Sequence, residues 1–380
     1  MPLVSPQFIV LDTATLVKAS RDYWSPNESL REKARTFIAR LRDSGVYITF
    51  TLTHVLELLR HQDDSVVRDR LKFLQRLPFI AWLRPYDRNW FPGGISTLLR
   101  RELHAVVHDA KRDWRAIIDH VRIDLLETGV GAEMFVDDDH LWSTLRTEAQ
   151  RDQQNDRYVA SITRTDLGNI DSLTLAEARK MPKRTKAERH EFMQRFAAII
   201  HMQLEQHGDR RLEDPQGAAF DFANRTVKHV DELEAAGGDL YEQLLKYRGI
   251  PQEFVTDDMT FGDIRNLIEY KGHLAILSES LDPPATVTVR DVPPETLPSY
   301  VVERRLAGIQ RKATRVSGSD LGDGYIAPLT LYADGVEVDK RTYEYLTQMK
   351  RDCPAIAGVL GHFFRSADYA EIPDRLGRVA

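Results

Sequence analysis

The first 85 residues alternate between short apolar runs and amphipathic stretches, and this rhythm constrains the fold more than any other feature. The apolar runs cover residues 8–11, 46–49 and 79–83. Between the first two, residues 29–42 carry apolar side chains every three or four positions, and Gly45 follows them as glycine often follows a helix. Alternating strands and helices of this kind predict a mostly parallel sheet in an α/β fold.

The alternation stops near residue 86 and returns near residue 299. Long amphipathic stretches with helical periodicity lie between, over residues 96–127, 187–206, 218–236 and 260–280. Prolines then interrupt the chain over residues 281–298, and helices rarely continue through such segments. The middle of the chain is therefore predicted to be helical.

The C-terminal segment repeats the α/β pattern. It predicts helices over residues 300–315, 320–334 and 340–350, and a short strand over residues 336–338. A sheet that begins at the N-terminus and resumes near the C-terminus implies an insertion. We expect residues 1–85 and 299–380 to form one α/β domain, and residues 86–298 to form an all-helical domain inserted into it.

Composition and charge narrow the classes of function. The chain has 52 basic and 58 acidic residues, a net charge of −6, which argues against a surface coated with nucleic acid but allows a local basic groove. Its one cysteine, Cys353, excludes an internal disulfide and a cysteine-rich zinc site. No apolar run approaches the ~20 residues that span a bilayer, and no secretory signal pattern is visible. We expect a cytoplasmic protein that does not contact membranes.

Acidic residues stand where open α/β sheets place their chemistry. Asp12 directly follows the first predicted strand, Glu57 lies in the helix after the second, and Asp339 follows the last. Asp320 and Asp323 open a predicted helix. Ligands of parallel sheets bind outside the carboxyl ends of the strands, and carboxylates crowded there repel one another. A hard divalent cation, Mg²⁺ or Mn²⁺, is the simplest compensation.

Each of these residues also has a purely structural interpretation. Asp12, Asp323 and Asp339 could serve only as helix caps, since aspartate is a preferred N-cap residue. Glu57 could be a solvated or salt-bridged side chain, because charged residues are mostly exposed. Their combination in one order along the chain favours a common site.

The chain resembles the PIN-domain family in four segments taken in order: FIVLDT at 8–13, YIT at 47–49 with Thr53 and Glu57 beyond it, SDLGDGYIA at 319–327, and YADGVEVDKR at 332–341. The resemblance covers only about residues 5–85 and 300–350. It implies a three-layer fold around a central, mostly parallel sheet. It also implies a site in which Asp12, Glu57, Asp323 and Asp339 are catalytic metal ligands, with Asp320 as an auxiliary ligand. The implied activity is endonucleolytic cleavage of RNA, with DNA as the alternative substrate, using Mg²⁺ or Mn²⁺.

The sequence departs from the family pattern in three places. About 200 residues separate the two α/β segments, whereas PIN domains are compact. Pro328 falls inside the predicted helix and should kink it. Asp320 and Asp323 compete for one position of the pattern, and Asp323 is favoured because it precedes Ile326 and Ala327 as in the helix of the family. Asp334, a turn before the last strand, is expected to be a surface residue at a helix end.

The implied mechanism is hydrolysis by a water molecule, with metal ions held by carboxylates relieving charge on the phosphate. Thr13 or Thr53 would orient a ligand or a phosphate, and Lys340 and Arg341 would contact phosphates. A basic helix face offers a further track for the nucleic-acid backbone, although such a face can also be merely solvated. Its residues are Arg304, Arg305, Arg311, Lys312 and Arg315.

Other interpretations remain open. His104, His108 and Asp109 resemble the His-Asp pair of HD-type phosphohydrolases, and the acidic run at 137–140 is either a cation site or a solvated loop. A haloacid-dehalogenase-like phosphatase is disfavoured, because that class requires Asp-x-Asp after the first strand and Ala14 occupies the second position. A non-enzyme alternative is an RNA- or protein-binding adaptor on a degenerate PIN-like platform. In the adaptor the helical domain would be the module that binds RNA or protein. In the nuclease it would select substrate, cover the site, or bind a regulatory protein or a second copy.

Overall fold

The computed structural model describes residues 6–85, 92–162, 170–181, 186–207, 212–235, 237, 239–310 and 319–376. The chain divides into two compact units. The first unit contains residues 1–153, 295–312 and 321–380, and the second contains residues 154–294 and 313–320.

A six-stranded sheet forms the centre of the first unit. Its strands are β1 (Gln7–Val10), β2 (Val46–Phe50), β3 (Ile80–Leu83), β4 (Leu126–Gly129), β5 (Gly335–Glu337) and β6 (Phe363–Phe364). Their spatial order is β4-β3-β2-β1-β5-β6. All neighbouring pairs are parallel except β3 and β4, which are antiparallel. The expected α/β architecture with a mostly parallel sheet is confirmed, and the four predicted strands lie within one residue of their predicted limits.

Eighteen α-helices are present among the residues that the structure describes. In chain order they are α1 (Thr13–Tyr23), α2 (Glu28–Asp43), α3 (Leu52–Leu59), α4 (Asp64–Leu74), α5 (Ile95–Val107), α6 (Trp114–Arg122), α7 (Gly131–Met134), α8 (Asp139–Ile162), α9 (Leu175–Arg179), α10 (Lys186–His207), α11 (Pro215–Ala235), α12 (Leu240–Tyr247), α13 (Phe261–Glu279), α14 (Pro298–Gln310), α15 (Ser319–Ile326), α16 (Lys340–Asp352), α17 (Pro354–Ala357) and α18 (Ile372–Leu376). Short 3₁₀ turns cover Ile170–Ser172, Gln252–Phe254, Pro294–Thr296, Ala327–Leu331 and Tyr369–Glu371.

Burial explains why the central strands read as continuous apolar runs. Ile9 of β1, Ile48 of β2 and Ile80 of β3 are fully buried and lie side by side in the register of the sheet. A strand in the middle of a parallel sheet has no solvent face, so it shows no polar alternation. The core continues into α1 and α2 through Leu16 and Phe37.

Residues 96–127 are not one helical stretch, and this part of the sequence interpretation is wrong. Helix α5 ends at Val107, α6 begins at Trp114 with Asp113 as its cap, and β4 follows on the edge of the sheet. Ala110 adopts a left-handed conformation, φ 52°, in the turn between the helices. Strand β4 escaped prediction because an exposed edge strand, here Leu-Glu-Thr-Gly, carries little apolar signal.

The limits of the two units differ from the predicted domain limits. The predicted insertion begins at residue 86, whereas residues 92–153, with α5, α6 and β4, belong to the unit that contains the sheet. Backbone pairing of β4 with β3 fixes this segment to the sheet in a way that helical periodicity alone does not reveal.

The second unit is helical in the part that the structure describes, apart from an isolated bridge between Thr174 and Thr260. The predicted helices at 187–206, 218–236 and 260–280 are confirmed as α10, α11 and α13. One small core gathers Leu175, Leu245, Ile250 and Ile264, and another gathers Ile200, Leu204 and Ala219.

The helix predicted over residues 320–334 is shorter than expected. Regular α-helix ends at Ile326, and Pro328 lies in the 3₁₀ turn that follows. The predicted disturbance at Pro328 is therefore confirmed, because proline lacks the N–H that would continue the helix.

Among the described helices, none is both long enough and apolar enough to cross a membrane.

Candidate acidic site at the carboxyl ends of the strands

Asp12 lies two residues beyond the end of β1 and caps α1. Its Oδ1 accepts a hydrogen bond from the backbone N–H of Ala14 at 2.9 Å. The side chain is half-buried, and this burial raises the pKa of Asp12; the charge of Asp339 raises it further, while the Ala14 N–H opposes the shift. The capping interpretation is confirmed, but the cap uses one carboxylate oxygen.

Asp339 has the same relation to β5 and α16. Its Oδ1 accepts a hydrogen bond from the backbone N–H of Thr342 at 2.6 Å, and its Oδ2 lies 3.7 Å from Nε of Arg341. Strands β1 and β5 are neighbours and parallel, so their carboxyl ends bring Asp12 and Asp339 to one edge of the sheet. The structure thus joins two of the predicted site residues.

Glu57 lies on α3 and faces α15. A Cβ added to Gly322 would overlap Oε1 of Glu57 and would lie 3.5 Å from its Cδ and 3.8 Å from Cγ2 of Thr53. Glycine at 322 therefore allows the α15 backbone to approach the Glu57 carboxylate closely. Glu57 is half-buried against this helix and is not a freely solvated side chain.

Asp320 and Asp323 belong to α15, but their side chains lie outside the described residues. Asp323 is the neighbour of Gly322 in the chain, and it occupies the second turn of α15 instead of capping it. Asp320 is in the first turn and belongs to the second unit. The roles predicted for both residues remain predictions.

Glu337 is a functional candidate that the sequence interpretation missed. It is 3% exposed, and its Oε1 accepts a hydrogen bond from Oγ1 of Thr15 at 3.0 Å. Burial raises the pKa of Glu337 to about 7; the Thr15 hydroxyl opposes this shift and the charge of Asp12 adds to it. The available signal was a glutamate between two valines of the predicted strand. Burial of a carboxyl group there costs free energy, so its presence suggests a specific role.

Three buried polar atoms near this edge have no hydrogen-bond partner in the described part of the chain. They are Oε2 of Glu337, Oγ1 of Thr13 and Oγ1 of Thr342. Thr13 follows Asp12, and Thr342 donates its N–H to Asp339. Buried polar groups are normally paired, so unpaired ones at one edge of a sheet indicate a place for water, an ion or a ligand.

His54 ties the start of α3 to the residue before Asp12. It is fully buried, its Nε2 lies 3.1 Å from the carbonyl oxygen of Leu11, and its Nδ1 accepts the N–H of Thr51 at 3.1 Å. Because the Leu11 carbonyl can only accept, the hydrogen-bond pattern assigns the proton to Nε2. Burial lowers the pKa of His54 to about 4, against the opposing effect of Leu11, so the ring is neutral. A lone histidine in a helix gave no sequence signal of this role.

The donor set suits a hard divalent cation in kind. It consists of carboxylate and hydroxyl oxygens, which Mg²⁺ and Mn²⁺ prefer. The electrostatic strain between Asp12 and Asp339 and the unpaired Oε2 of Glu337 are what a cation would relieve. Among the described side chains, however, no group of three or more His, Cys, Asp or Glu already surrounds a common metal position.

The residues predicted to contact nucleic acid form two sets, one at the start of α16 and one on the basic helix face that includes α14. Lys340 is exposed with Nζ 3.9 Å from Oε1 of Glu344, and Arg341 lies beside Asp339. Arg304 is half-buried and Arg305 exposed on α14. Arg311, Lys312 and Arg315 lie outside the residues that the structure describes.

The competing histidine motif has a local structural role. Nδ1 of His104 and Nε2 of His120 lie 3.3 and 3.1 Å from the same oxygen, Oδ2 of Asp109. The three residues join the end of α5 to α6 across the turn at Ala110. Asp109 therefore connects two helices by shared hydrogen bonds.

Two further acidic residues also find structural partners. In the run at 137–140, Oδ1 of Asp138 accepts the N–H of Leu141 at 3.0 Å, at the start of α8. Asp334 is exposed, as expected, and exchanges hydrogen bonds with the backbone of Phe8 at 2.7 and 2.8 Å. It therefore fastens the beginning of β1.

Comparison with known proteins adds no further constraint at this site. Neither a known protein family, nor a curated protein, nor a solved structure matches this chain.

Proposed function

We propose that this protein is a metal-dependent nuclease with a PIN-like three-layer fold, which hydrolyses phosphodiester bonds in RNA. One observation carries the proposal: Asp12 and Asp339 approach closely enough for the charge of one to raise the pKa of the other. They do so at the carboxyl edge of a parallel sheet, beyond β1 and β5. From β1 the chain proceeds to β2 on one side, while β5 flanks β1 on the other, and ligands of open α/β sheets bind at this kind of switch point.

The acidic side chains would hold Mg²⁺ or Mn²⁺ in this proposal. Asp12, Glu57, Asp323 and Asp339 are the ligands, directly or through water, and Asp320 is auxiliary. A bound ion supplies an activated water and charge relief on the phosphate oxygens. The helix caps at Ala14 and Thr342 use Oδ1 of Asp12 and of Asp339, so Oδ2 of each would face the ligand; Oδ2 of Asp339 also lies 3.7 Å from Nε of Arg341.

Neighbouring residues would position this set. Thr15 donates a hydrogen bond to Glu337, and His54 would fix the carbonyl of Leu11, the residue before Asp12. Lys340 and Arg341, at the start of α16, would contact the substrate phosphates. Such supporting contacts determine how well a metal site is organised.

The proposal extends to the location of the protein and to the second unit. The lone Cys353 suits the reducing cytoplasm. The second unit, helical in the part described, would select RNA, cover the site, or bind a regulatory protein or a second copy of the chain.

A cleavage assay tests the proposal on the full-length protein. Labelled RNA and DNA, single-stranded and structured, are incubated with Mn²⁺ or with chelator. We expect RNA cleavage that chelator abolishes and that Asp12→Asn and Asp339→Asn each reduce at least about a hundredfold, the scale of losing one charge-stabilising group. Asp63→Asn is the matched control, because Asp63 also caps a helix, α4, through its Oδ1.

Cleavage that persists undiminished in Asp12→Asn would contradict the proposal, as would equal loss in Asp63→Asn. The alternative is an RNA- or protein-binding adaptor. An adaptor predicts RNA or protein binding without any dependence of stability on Mn²⁺.

A further inference from the structure

A groove separates α16 from the edge of the sheet. Its volume is about 500 Å³, within the ~300–1,000 Å³ typical of small-ligand sites. Tyr343, Thr347 and Lys350 line one wall, and their spacing of four and three residues places them on one face of α16. His362 and Phe363, at the start of the edge strand β6, line the other.

The groove presents aromatic rings. Tyr343 and Phe363 pack edge to face with ring centroids 5.4 Å apart, and both are half-buried. The half-buried ring of His362 stacks on Phe364 at 5.5 Å. Burial and the nearby charge of Lys350 lower the pKa of His362, so its ring is neutral at pH 7. Partly exposed, uncharged rings at one groove can receive a flat heterocycle.

The same groove is positively charged. Lys350 and Arg351 line it, and no described residue lining it is acidic. Arg351 lies 2.9 Å from Asp352, which offsets part of its charge, whereas Nζ of Lys350 lies 6.0 Å from the ring centroid of Phe363. Cations beside aromatic rings are the combination with which proteins bind single-stranded nucleic acid.

Helix α16 carries residues of the groove and is capped by a residue of the acidic site. Asp339 caps α16, and Tyr343 lies one turn further on. At 1.5 Å per residue, Tyr343 is about 6 Å and Lys350 about 16 Å from Asp339 along the helix axis. A few nucleotides of an extended strand bridge such a distance.

We propose that this groove binds a single-stranded segment of nucleic acid, with bases against Tyr343 and Phe363 and phosphates beside Lys350 and Arg351. The inference rests on the proposed nuclease function only in assigning the bound segment to the substrate of the acidic site.

Binding measured without cleavage tests the groove directly. Fluorescence anisotropy with a short labelled oligouridylate and its deoxy counterpart is recorded in chelator on the full-length protein. We expect Tyr343→Ala to weaken binding at least about fivefold, the lower limit for losing one base–aromatic stack, and Tyr343→Phe to restore it. Lys350→Ala should reduce the salt dependence, the slope of log K against log[salt], by about 0.7, as for one lost phosphate contact.

Lys72→Ala on α4 is the charge control, since it also removes an exposed lysine from a helix but leaves the groove unchanged. The proposal is overturned if the wild-type chain does not bind either oligonucleotide, or if the Tyr343 and Lys350 variants bind like Lys72→Ala. Cleavage by a wild-type chain whose groove variants bind normally would reject the groove and keep the nuclease. Binding that depends on the groove, without metal-dependent cleavage, would keep the groove and reject the nuclease function.

Discussion

Asp12 and Asp339 follow the neighbouring parallel strands β1 and β5; burial raises the pKa of Asp12, and the charge of Asp339 raises it further. Two like charges held by separate helix caps destabilise the folded chain unless a cation or a proton lies between them. This relationship separates a metal site from a pair of ordinary caps, because only a metal site couples stability to a cation.

The first prediction concerns that coupling. Mn²⁺ at a hundredfold excess over its dissociation constant should raise the free energy of unfolding by about 2.7 kcal/mol, measured as a shift in melting temperature. Asp12→Asn should abolish the shift and leave metal-free stability unchanged or slightly higher, since asparagine caps helices as well as aspartate and carries no charge. Asp63→Asn should keep the shift. A metal effect of equal size in all three proteins would place the cation elsewhere.

The second prediction uses two glycines of α15. Gly322→Ala should displace the flexible end of Glu57, whose Oε1 occupies the position of the new methyl group. Gly324→Ala meets nothing within 4 Å. Both changes should stabilise the helix by up to about 1 kcal/mol, the usual gain of alanine over glycine.

Only Gly322→Ala should lower metal-dependent cleavage and the Mn²⁺ shift in melting temperature. The comparison isolates the position of Glu57 from any general effect on α15. Full activity in Gly322→Ala would show that the Glu57 carboxylate is not part of the site.

The strands that precede Asp12 and Asp339 could be predicted from the sequence, because a buried strand appears there as a run of apolar residues. The sequence also predicted that both residues follow strands. Because the carboxyl ends of parallel strands lie at one edge of a sheet, Asp12 and Asp339 could be expected at the same edge. Glu337 was missed because a single polar residue in a buried strand has no periodic signal, and its partner Thr15 lies 322 positions away. The edge strand β4 was missed for a related reason: its pairing with β3, not its own composition, makes it a strand.

The third prediction concerns Glu102, which is fully buried on α5. It accepts hydrogen bonds from the backbone N–H of Ser299 at 3.0 Å and from the hydroxyl of Tyr332 at 2.5 Å. Burial raises its pKa to about 7, and these hydrogen bonds only partly oppose the shift. The folded chain therefore holds a proton that the unfolded chain releases near pH 4.5.

The contribution of Glu102 to the free energy of unfolding should be fully present below pH 4.5, the pKa of the carboxyl in the unfolded chain. It should be lost progressively as pH rises through about 7, the pKa in the folded chain. The loss is on the order of 3 kcal/mol, from about 1.4 kcal/mol for each unit of pKa. Denaturant unfolding of wild type and Glu102→Gln between pH 5 and pH 8 measures it. The stability difference, variant minus wild type, should grow with pH, and a constant difference would mean that Glu102 is ionised throughout.

The fourth prediction has the opposite sign. The pKa of His54 is lowered to about 4, so its contribution to stability is present above its unfolded value of 6.5 and is lost as pH falls toward 4. The size of this contribution is again on the order of 3 kcal/mol.

His54→Leu should remove this acid sensitivity but leave the Thr51 N–H and the Leu11 carbonyl unpaired, costing about 1–3 kcal/mol for each group at neutral pH. If His54 also fixes the backbone ahead of Asp12, the variant's Mn²⁺ shift in melting temperature should fall together with its stability. His61→Leu, at an exposed histidine just beyond α3, is the control and should change neither quantity by more than about 0.5 kcal/mol. An acid-unfolding profile of His54→Leu that parallels the wild type would show that this buried imidazole does not set the acid limit of the fold.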